Sequence, residues 1–473
     1  MAQAAAVEDS LRGLQQASSL LSFEGLTSGS KEGRPRPRLA ESWSVSPDGL
    51  RWTVRLRRDA RFHDGTPVDA TSVKRSLDAS LGSVTDRSFQ PGLEDIVGID
   101  VADSHALIVR LRNRSTFMLD DLSMAISKPR EDGPTIGTGP FIPVSSSSEQ
   151  IVMSRFADYY QGAPEIEQIV WKPYPALRTA WAAMMRGEID FLYEVGQESV
   201  EFVEGESSVS TYAFLRPYVF GVAFNSRRPS LEDRRVRQAL NFAVNRQQVL
   251  DQALKGRGVM ADGPVWPAHW AYDSFVGGYG YDPTRASAIL DAADRRLERD
   301  SSTLARPARL RFSCLLIENL ELWERMALLV QRQLFDIGVD MKLEPVSASI
   351  FSQRISKGDF DAAFLEIIGG YSMVRPYVFW YSRSPQNSFG YHNEDSDRAF
   401  EDIRQAFDDD AYRAAVGRLQ QSMVADPPGI FLAWGQTARA VSRKFVVPND
   451  PDRDVLLRVS EWQLAGTQTK ATN

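Results

Sequence analysis

Residues 37–77 read PRLAESWSVSPDGLRWTVRLRRDARFHDGTPVDATSVKRSL. Trp43 and Val45 alternate with polar residues, Ser46-Pro47-Asp48-Gly49 puts Pro at i+1 and Gly at i+3 of a type I turn, and Trp52, Val54 and Leu56 alternate on the return. That pattern predicts a β-hairpin. Asp64-Gly65 supplies a second turn after Phe62-His63, and Asp69 stands at the N-cap of a helix running through Val73 and Leu77. The stretch builds a β-β-α piece and offers no evident catalytic group.

Around it lies ordinary globular material. The 473 residues are 43% hydrophobic and 25% charged, enough for two or three lobes with a substantial core. Sixty-two acidic against 55 basic residues leave a net charge of −7, so neither nucleic acid nor anionic lipid is expected as a partner. Cys314, the one cysteine, lies in an apolar run and reads as a buried thiol, and an intrachain disulfide is excluded. No apolar run is long enough to span a membrane. The opening MAQAAAVEDSLRGLQQ has neither a basic n-region nor an apolar h-region, so it is not an intact signal peptide.

The combination LAESW (39–43), SPDGLRWTVRLR (46–57) and FHDGTPVDATSV (62–73) resembles the signature of the dipeptide-, oligopeptide- and nickel-binding family of bacterial ABC-importer substrate-binding proteins. Further elements resemble the same family in order: Phe23-Glu24-Gly25-Leu26, Gly137-Thr138-Gly139-Pro140-Phe141, the turn from Asp158 to Pro164, GEID at 187–190, PYVFGVAFN at 217–225 and LEDRRVRQALNFAVNR at 231–246. The family carries a strand with an Asp-Pro pair before Phe23, and this sequence has none there. The resemblance implies an α/β fold of two lobes, periplasmic-binding-protein-like (type II, cluster C), with an extra β-rich accessory domain. The expected division is 1–36 in lobe I, 37–136 in the accessory domain, 137–228 in lobe I, 229–436 in lobe II and 437–473 returning to lobe I. It also implies a periplasmic or extracytoplasmic, monomeric, non-enzymatic protein that closes by hinge motion over a small organic ligand and presents it to an ABC permease.

Periodicity fills in the rest. A helix is expected over 7–26 with Leu11, Leu14, Leu20, Leu21 and Phe23 on one side, and a hairpin across Asp103-Ser104. Strands at 169–171 and 189–193 flanking a helix through Leu177 and Met184 read as a β-α-β unit. Ser230 to Asp233 reads as a capping-box variant opening one helical stripe from Val236 to Leu254. Strands at 310–316, 339–343 and 360–365, with helices at 320–337 and 349–356, predict a mostly parallel sheet with ligand loops after Leu316 and Leu365.

Chemistry for catalysis is sparse. His63, His105, His269 and His392 are scattered without metal-ligand spacing, so neither a protein-built metal site nor a cofactor is expected. Gly137–Phe141 lacks the Lys-Ser/Thr of a P-loop. Glu366 with Asp359 and Asp361 could be read as a glycosidase pair, and a cleft hydrolase or a ligand-sensing domain on the same scaffold is the alternative function. Aromatic residues at predicted strand ends, Tyr218, Phe220, Tyr371, Trp380 and Trp434, suit a cleft enclosing an organic ligand. Peptide-binding relatives hold the peptide ammonium on an Asp in a W-x-x-D pattern. An ungapped match over FDAAFLEIIGGYS puts Gly370 in the place of that Asp and Ile367 in the place of the Trp. The salt bridge is therefore missing: either Glu366 or Glu318 supplies the carboxylate, or the ligand has no ammonium. Asn319, Ser372 and Arg375 complete the expected ligand-binding set. The ligand is expected to be peptide-like, an oligosaccharide or opine-like, and simple di- and tripeptides are not expected to bind in the usual way.

Overall fold

The structure is a computed structural model describing residues 7–83, 89–130, 133–196, 200, 203, 205–294, 308–448, 450 and 453–466, without the side chains of 7–12. The side chain of Leu11 and the first part of the segment compared with a signal peptide lie outside the described residues.

The opening stretch folds as its punctuation dictates. Strands Ala40–Val45 and Arg51–Leu56 pair antiparallel with Trp43 opposite Val54, and the Gly49 N–H donates to the Ser46 carbonyl at 2.8 Å. Asp69 caps helix Ala70–Leu81 in a reciprocal box with Ser72, which satisfies two otherwise orphaned N–H groups. Strands Ile96–Asp103 and Ala106–Leu111 complete a four-stranded sheet. Its core contains Trp52, Val54, Phe62, Val73, Leu107 and Val109, all under 5% exposed.

One ribbon organises the remainder. Strand Val209–Phe224 runs antiparallel to strand Gly429–Ser442 along nearly its whole length, but the register shifts between Leu215 and Val219. Pro217 accounts for the break: it has no N–H to give to the ladder. Its carbonyl instead accepts the N–H groups of Gly369 and Gly370 at 3.0 and 3.1 Å. Before the break, Val209 to Leu215 face 442 to 436, and strand Phe191–Leu192 pairs with Val441 and Ala440. Beyond it, Val219 to Ala223 face 434 to 429, and strand Ala362–Ile368 pairs on the other side. The same two chains thus belong to two bodies.

Alternation divides the second body into two layers. Phe220, Val222 and Phe224 pack into a core with Leu240, Leu250, Val330 and Leu334, whereas Val219 and Ala223 pack with Trp380, Phe400, Leu419 and Trp434. The first body gathers Phe141, Met153, Trp171 and Val441 over the three-stranded sheet Phe141–Ser146, Ile151–Arg155 and Gln168–Trp171. Helix Val7–Ser22 covers that sheet.

Several expectations change. The seven-stranded sheet is mixed: strand Leu310–Ile317 runs parallel to Val339–Val346 and to Ala362–Ile368, but every other pairing in it is antiparallel. The two crossover helices produce the parallel part, and the long ribbon imposes the rest. Strands Gln168–Trp171 and Phe191–Leu192 lie in different sheets, so the helix between them closes no β-α-β unit. Ser230 is not a cap. Asp233 caps helix Arg234–Phe242 by accepting from Arg235 N–H, and Asn245 caps a separate helix, Arg246–Ala253. The apolar stripe was continuous across that join, which hid it.

Candidate ligand cavity

A cavity of about 1410 Å³ lies where the two bodies meet beside the register break. Strand alternation sends Arg216, Tyr218 and Phe220 to the same face of the ribbon, and all three line it. Glu366 stands opposite Phe220 in the neighbouring strand and joins them with Ile368. Asn319 enters from the turn after strand Leu310–Ile317 with φ 62°, a left-handed conformation that Asn tolerates better than most residues. Trp323 follows from helix Glu321–Asp336, its ring 6.0 Å from Phe364. The opposite wall comes from the first body: Trp171, Tyr174, Phe191, Tyr193 and Glu194, with Trp462 of the 3-10 helix region closing the side.

Charge is concentrated on the floor. Arg216 and Glu366 form an ion pair at 3.0 Å with side chains 19% and 9% exposed, and the Arg216 guanidinium lies 4.6 Å from the Tyr218 ring. Burial raises the Glu366 carboxyl above its ordinary value; Arg216 pulls against that shift and Glu194 adds to it. Aromatic walls around one anchored ion pair suit an organic ligand oriented by few polar contacts. Among the described residues no group of three His, Cys, Asp or Glu side chains is placed to hold a metal ion, and no helix is long and apolar enough to cross a membrane.

Of the residues expected from sequence, Tyr218, Phe220, Asn319 and Glu366 come together on this wall. The others do not. Glu318 belongs to the end of its strand, its N–H on the Val346 carbonyl, and is not on the wall. Gly370 is left-handed (φ 66°) and turned toward Pro217, and a Cβ there would stand 2.9 Å from Arg375 Cγ. Tyr371 packs edge-on to Trp266 at 5.2 Å. Ser372 bonds the Asp120 carboxyl and Arg375 donates to the Phe89 carbonyl at 3.1 Å, so both serve the seam with the β-rich sheet. Trp380 and Trp434 are core residues, 0% and 1% exposed; Trp434 covers Gly369 so closely that a Cβ there would be 2.3 Å from its ring. The loop past Leu365 lies outside the cavity wall. The strand itself, through Glu366, reaches the cavity.

Arg216, Glu194, Trp171, Tyr193 and Trp323 were missed. Arg216 was legible, because it sits at i−2 from Tyr218 in a predicted strand. Glu194 and Trp171 were not, since they reach the cavity only through the meeting of two separately folded bodies.

The model of the bacterial extracellular solute-binding proteins, family 5, matches residues 34–389. The chain is 26% identical over 422 residues to the probable D,D-dipeptide-binding periplasmic protein of Escherichia coli (strain K12), covering 83% of this chain and 78% of that one. It is 28% identical over 293 residues to the glutathione-binding protein of Escherichia coli O1:K1 / APEC, covering 59% of this chain and only 57% of that relative. A crystal structure of a Brucella suis protein in complex with Fe(III)-EDTA superposes with a TM-score of 0.81 at 22% identity, covering 95% of each chain. The two bodies joined by one ribbon are the lobes of the type II periplasmic-binding fold, and the chain belongs to the bacterial extracellular solute-binding proteins of family 5.

Proposed function

We propose that this protein is the extracytoplasmic capture subunit of an ABC importer, a monomer that binds a small organic ligand between its lobes and presents it to a membrane permease without chemical turnover. The supporting observation is the place of the cavity: its walls come from both lobes and its floor is the ribbon that joins them. The interruption at Pro217 is where a change in lobe angle costs fewest ladder hydrogen bonds. Closure then follows from contacts that exist only when both walls touch the ligand, since equal affinity for open and closed forms shifts nothing. The lobe division 1–36, 137–228 and 437–473 against 229–436, with 37–136 as accessory domain, is part of this proposal. Native mass spectrometry of the full chain purified from bacterial cells tests it. A non-protein mass released intact on denaturation is expected; conversion of that mass to products in the bound state would favour a cleft hydrolase instead.

A further inference from the structure

The lobes meet a second time, outside the cavity wall. The hairpin of strands Thr27–Gly29 and Pro35–Pro37 is rooted on the β-rich domain: Thr27 Oγ1 donates to the Leu119 carbonyl at 2.7 Å, and the Leu26 N–H to the Leu122 carbonyl at 2.9 Å. That domain is bolted to lobe I by the Arg38–Glu24 ion pair at 2.6 Å and by the His63 N–H on the Gly137 carbonyl at 3.0 Å. Ser30 closes the hairpin tip, its N–H on the Arg34 carbonyl at 2.8 Å and its hydroxyl accepting the Arg34 N–H at 3.1 Å. The tip lies on lobe II. Trp266 Nε1 donates to the Lys31 carbonyl at 2.8 Å, and the Trp270 N–H to the Glu32 carbonyl at 2.9 Å. The Arg34 guanidinium lies 3.6 Å from the centre of the Trp270 ring and donates to both Asp409 oxygens, at 3.2 and 2.6 Å. Gly33 is left-handed (φ 78°), and a Cβ there would stand 2.1 Å from the Tyr371 carbonyl oxygen and 2.5 Å from His269 Cδ2. Only glycine fits so close an approach.

Trp266 joins this contact to the ribbon. Its ring stands edge-on to Trp434 at 5.1 Å, and Trp434 pairs with Val219 directly after the break at Pro217. We propose that Lys31–Arg34 form a strap that holds the lobes together in the ligand-free chain and must leave lobe II before the ribbon can bend. The inference rests on the ligand-capture reading above and adds what limits the rate of ligand exchange. In the proposed division the chain crosses between the lobes only by way of the two ribbon strands. Rotation about the break therefore carries Trp266, Trp270 and Asp409 away from a hairpin anchored on the other side. None of the strap's partners lines the cavity, so its contacts are the same with the cavity filled or empty. Such contacts slow entry and exit alike and leave affinity unchanged, and the ligand's own contacts with both walls add to them.

The test uses the full chain, freed of retained ligand, and pairs Gly33→Ala with Gly65→Ala. Gly65 has the same backbone, φ 79°, but among the described residues a Cβ there meets nothing within 4 Å, so the pair separates collision with lobe II from backbone strain. In Gly33→Ala, amide hydrogen exchange over 266–273 is expected to be at least about tenfold faster, with exchange over 310–317 unchanged and a larger radius of gyration by X-ray scattering. Gly65→Ala is expected to match wild type in all three. Arg34→Ala repeats the measurement should Gly33→Ala fold poorly. The probe for exchange of ligand is a free-amine tripeptide mixture of Ala, Leu, Phe and Ser. Its retention in equilibrium dialysis is expected to stay within about twofold of wild type, while its release on dilution becomes at least about tenfold faster. Unchanged hydrogen exchange and scattering in both strap variants, or equal changes in Gly65→Ala, overturns the strap. A loss of retention as large as the gain in release rate overturns it too, because the contacts then depend on the ligand. No retained probe and no co-purified mass, with hydrogen exchange responding as expected, overturns ligand capture and leaves the strap standing.

Discussion

Two buried charge clusters stand in contrast. At the seam between the β-rich sheet and lobe II, each group is answered by the protein: Arg404 by Asp95, Asp121 by the Gly92 N–H at 2.6 Å, Asp120 by Ser372, and Arg375 by the Phe89 carbonyl. At the cavity, Arg216 and Glu366 answer one another, and Glu194 has no ion-pair partner among the described residues. In the first cluster each charged side chain has a protein partner, although Arg404 Nε itself has none; Phe117, 0% exposed, reaches across the same seam to within 5.2 Å of the Tyr377 ring. The residues of the segment 362–375 divide between these places: Glu366 lines the cavity, and Ser372 and Arg375 bond across the seam.

The contrast breaks most visibly at the seam. Arg404→Met strands Asp95, whose side chain is 3% exposed, and should cost about 3–5 kcal/mol of stability in denaturant titrations while leaving cavity affinity unchanged. An equal loss of ligand affinity would show that the two clusters are coupled. Arg216→Met should cost less, about 1–3 kcal/mol, because the cavity lets water reach Glu366. The double variant Arg216→Met/Glu366→Gln should regain most of that loss, and a loss equal to the sum of the singles would show that the pair is not interacting.

The fold was largely legible because its punctuation is local. Ser46–Gly49, Asp69 with Ser72, and Gly338 after helix Glu321–Asp336 each fix an element within a few residues. The mixed sheet and the helix break at Asn245 were not, since one depends on which distant strand pairs with the ribbon and the other interrupts no apolar stripe. The candidate cavity was half legible. Alternation along Arg216, Tyr218 and Phe220 could be read in the chain, but Glu194 and Trp171 are brought to the cavity only by lobe packing. Trp380 and Trp434 looked like rim residues because they stand near strand and helix ends; packing made them core.

Effects of pH also sharpen the contrast at the seam. Burial pushes the Asp120 carboxyl up to about 7, against the pull of Ser372, with Asp121 raised beside it. The folded state then holds that proton more tightly than the unfolded chain, so this group favours folding increasingly as pH falls from about 7 toward 4, and opposes it above 7. His269 acts in the other direction: burial, aided by Arg34, pulls it down to about 4, so its contribution is lost as pH falls from about 6.5 to 4. Melting temperatures from pH 4 to 8 should therefore decline more steeply into acid for Asp120→Asn and less steeply for His269→Gln. Parallel curves for both variants and wild type would remove these groups from the account.

The central claim, that the ligand is held by the lobe-spanning cavity and not by the loop after Ile368, is tested most directly by comparing Trp323→Ala with Ser372→Ala in dialysis against the free-amine tripeptide mixture. Trp323 lines the cavity and Ser372 does not. The account predicts a loss of about tenfold or more for Trp323→Ala and less than about twofold for Ser372→Ala. A larger loss from Ser372→Ala than from Trp323→Ala would contradict it.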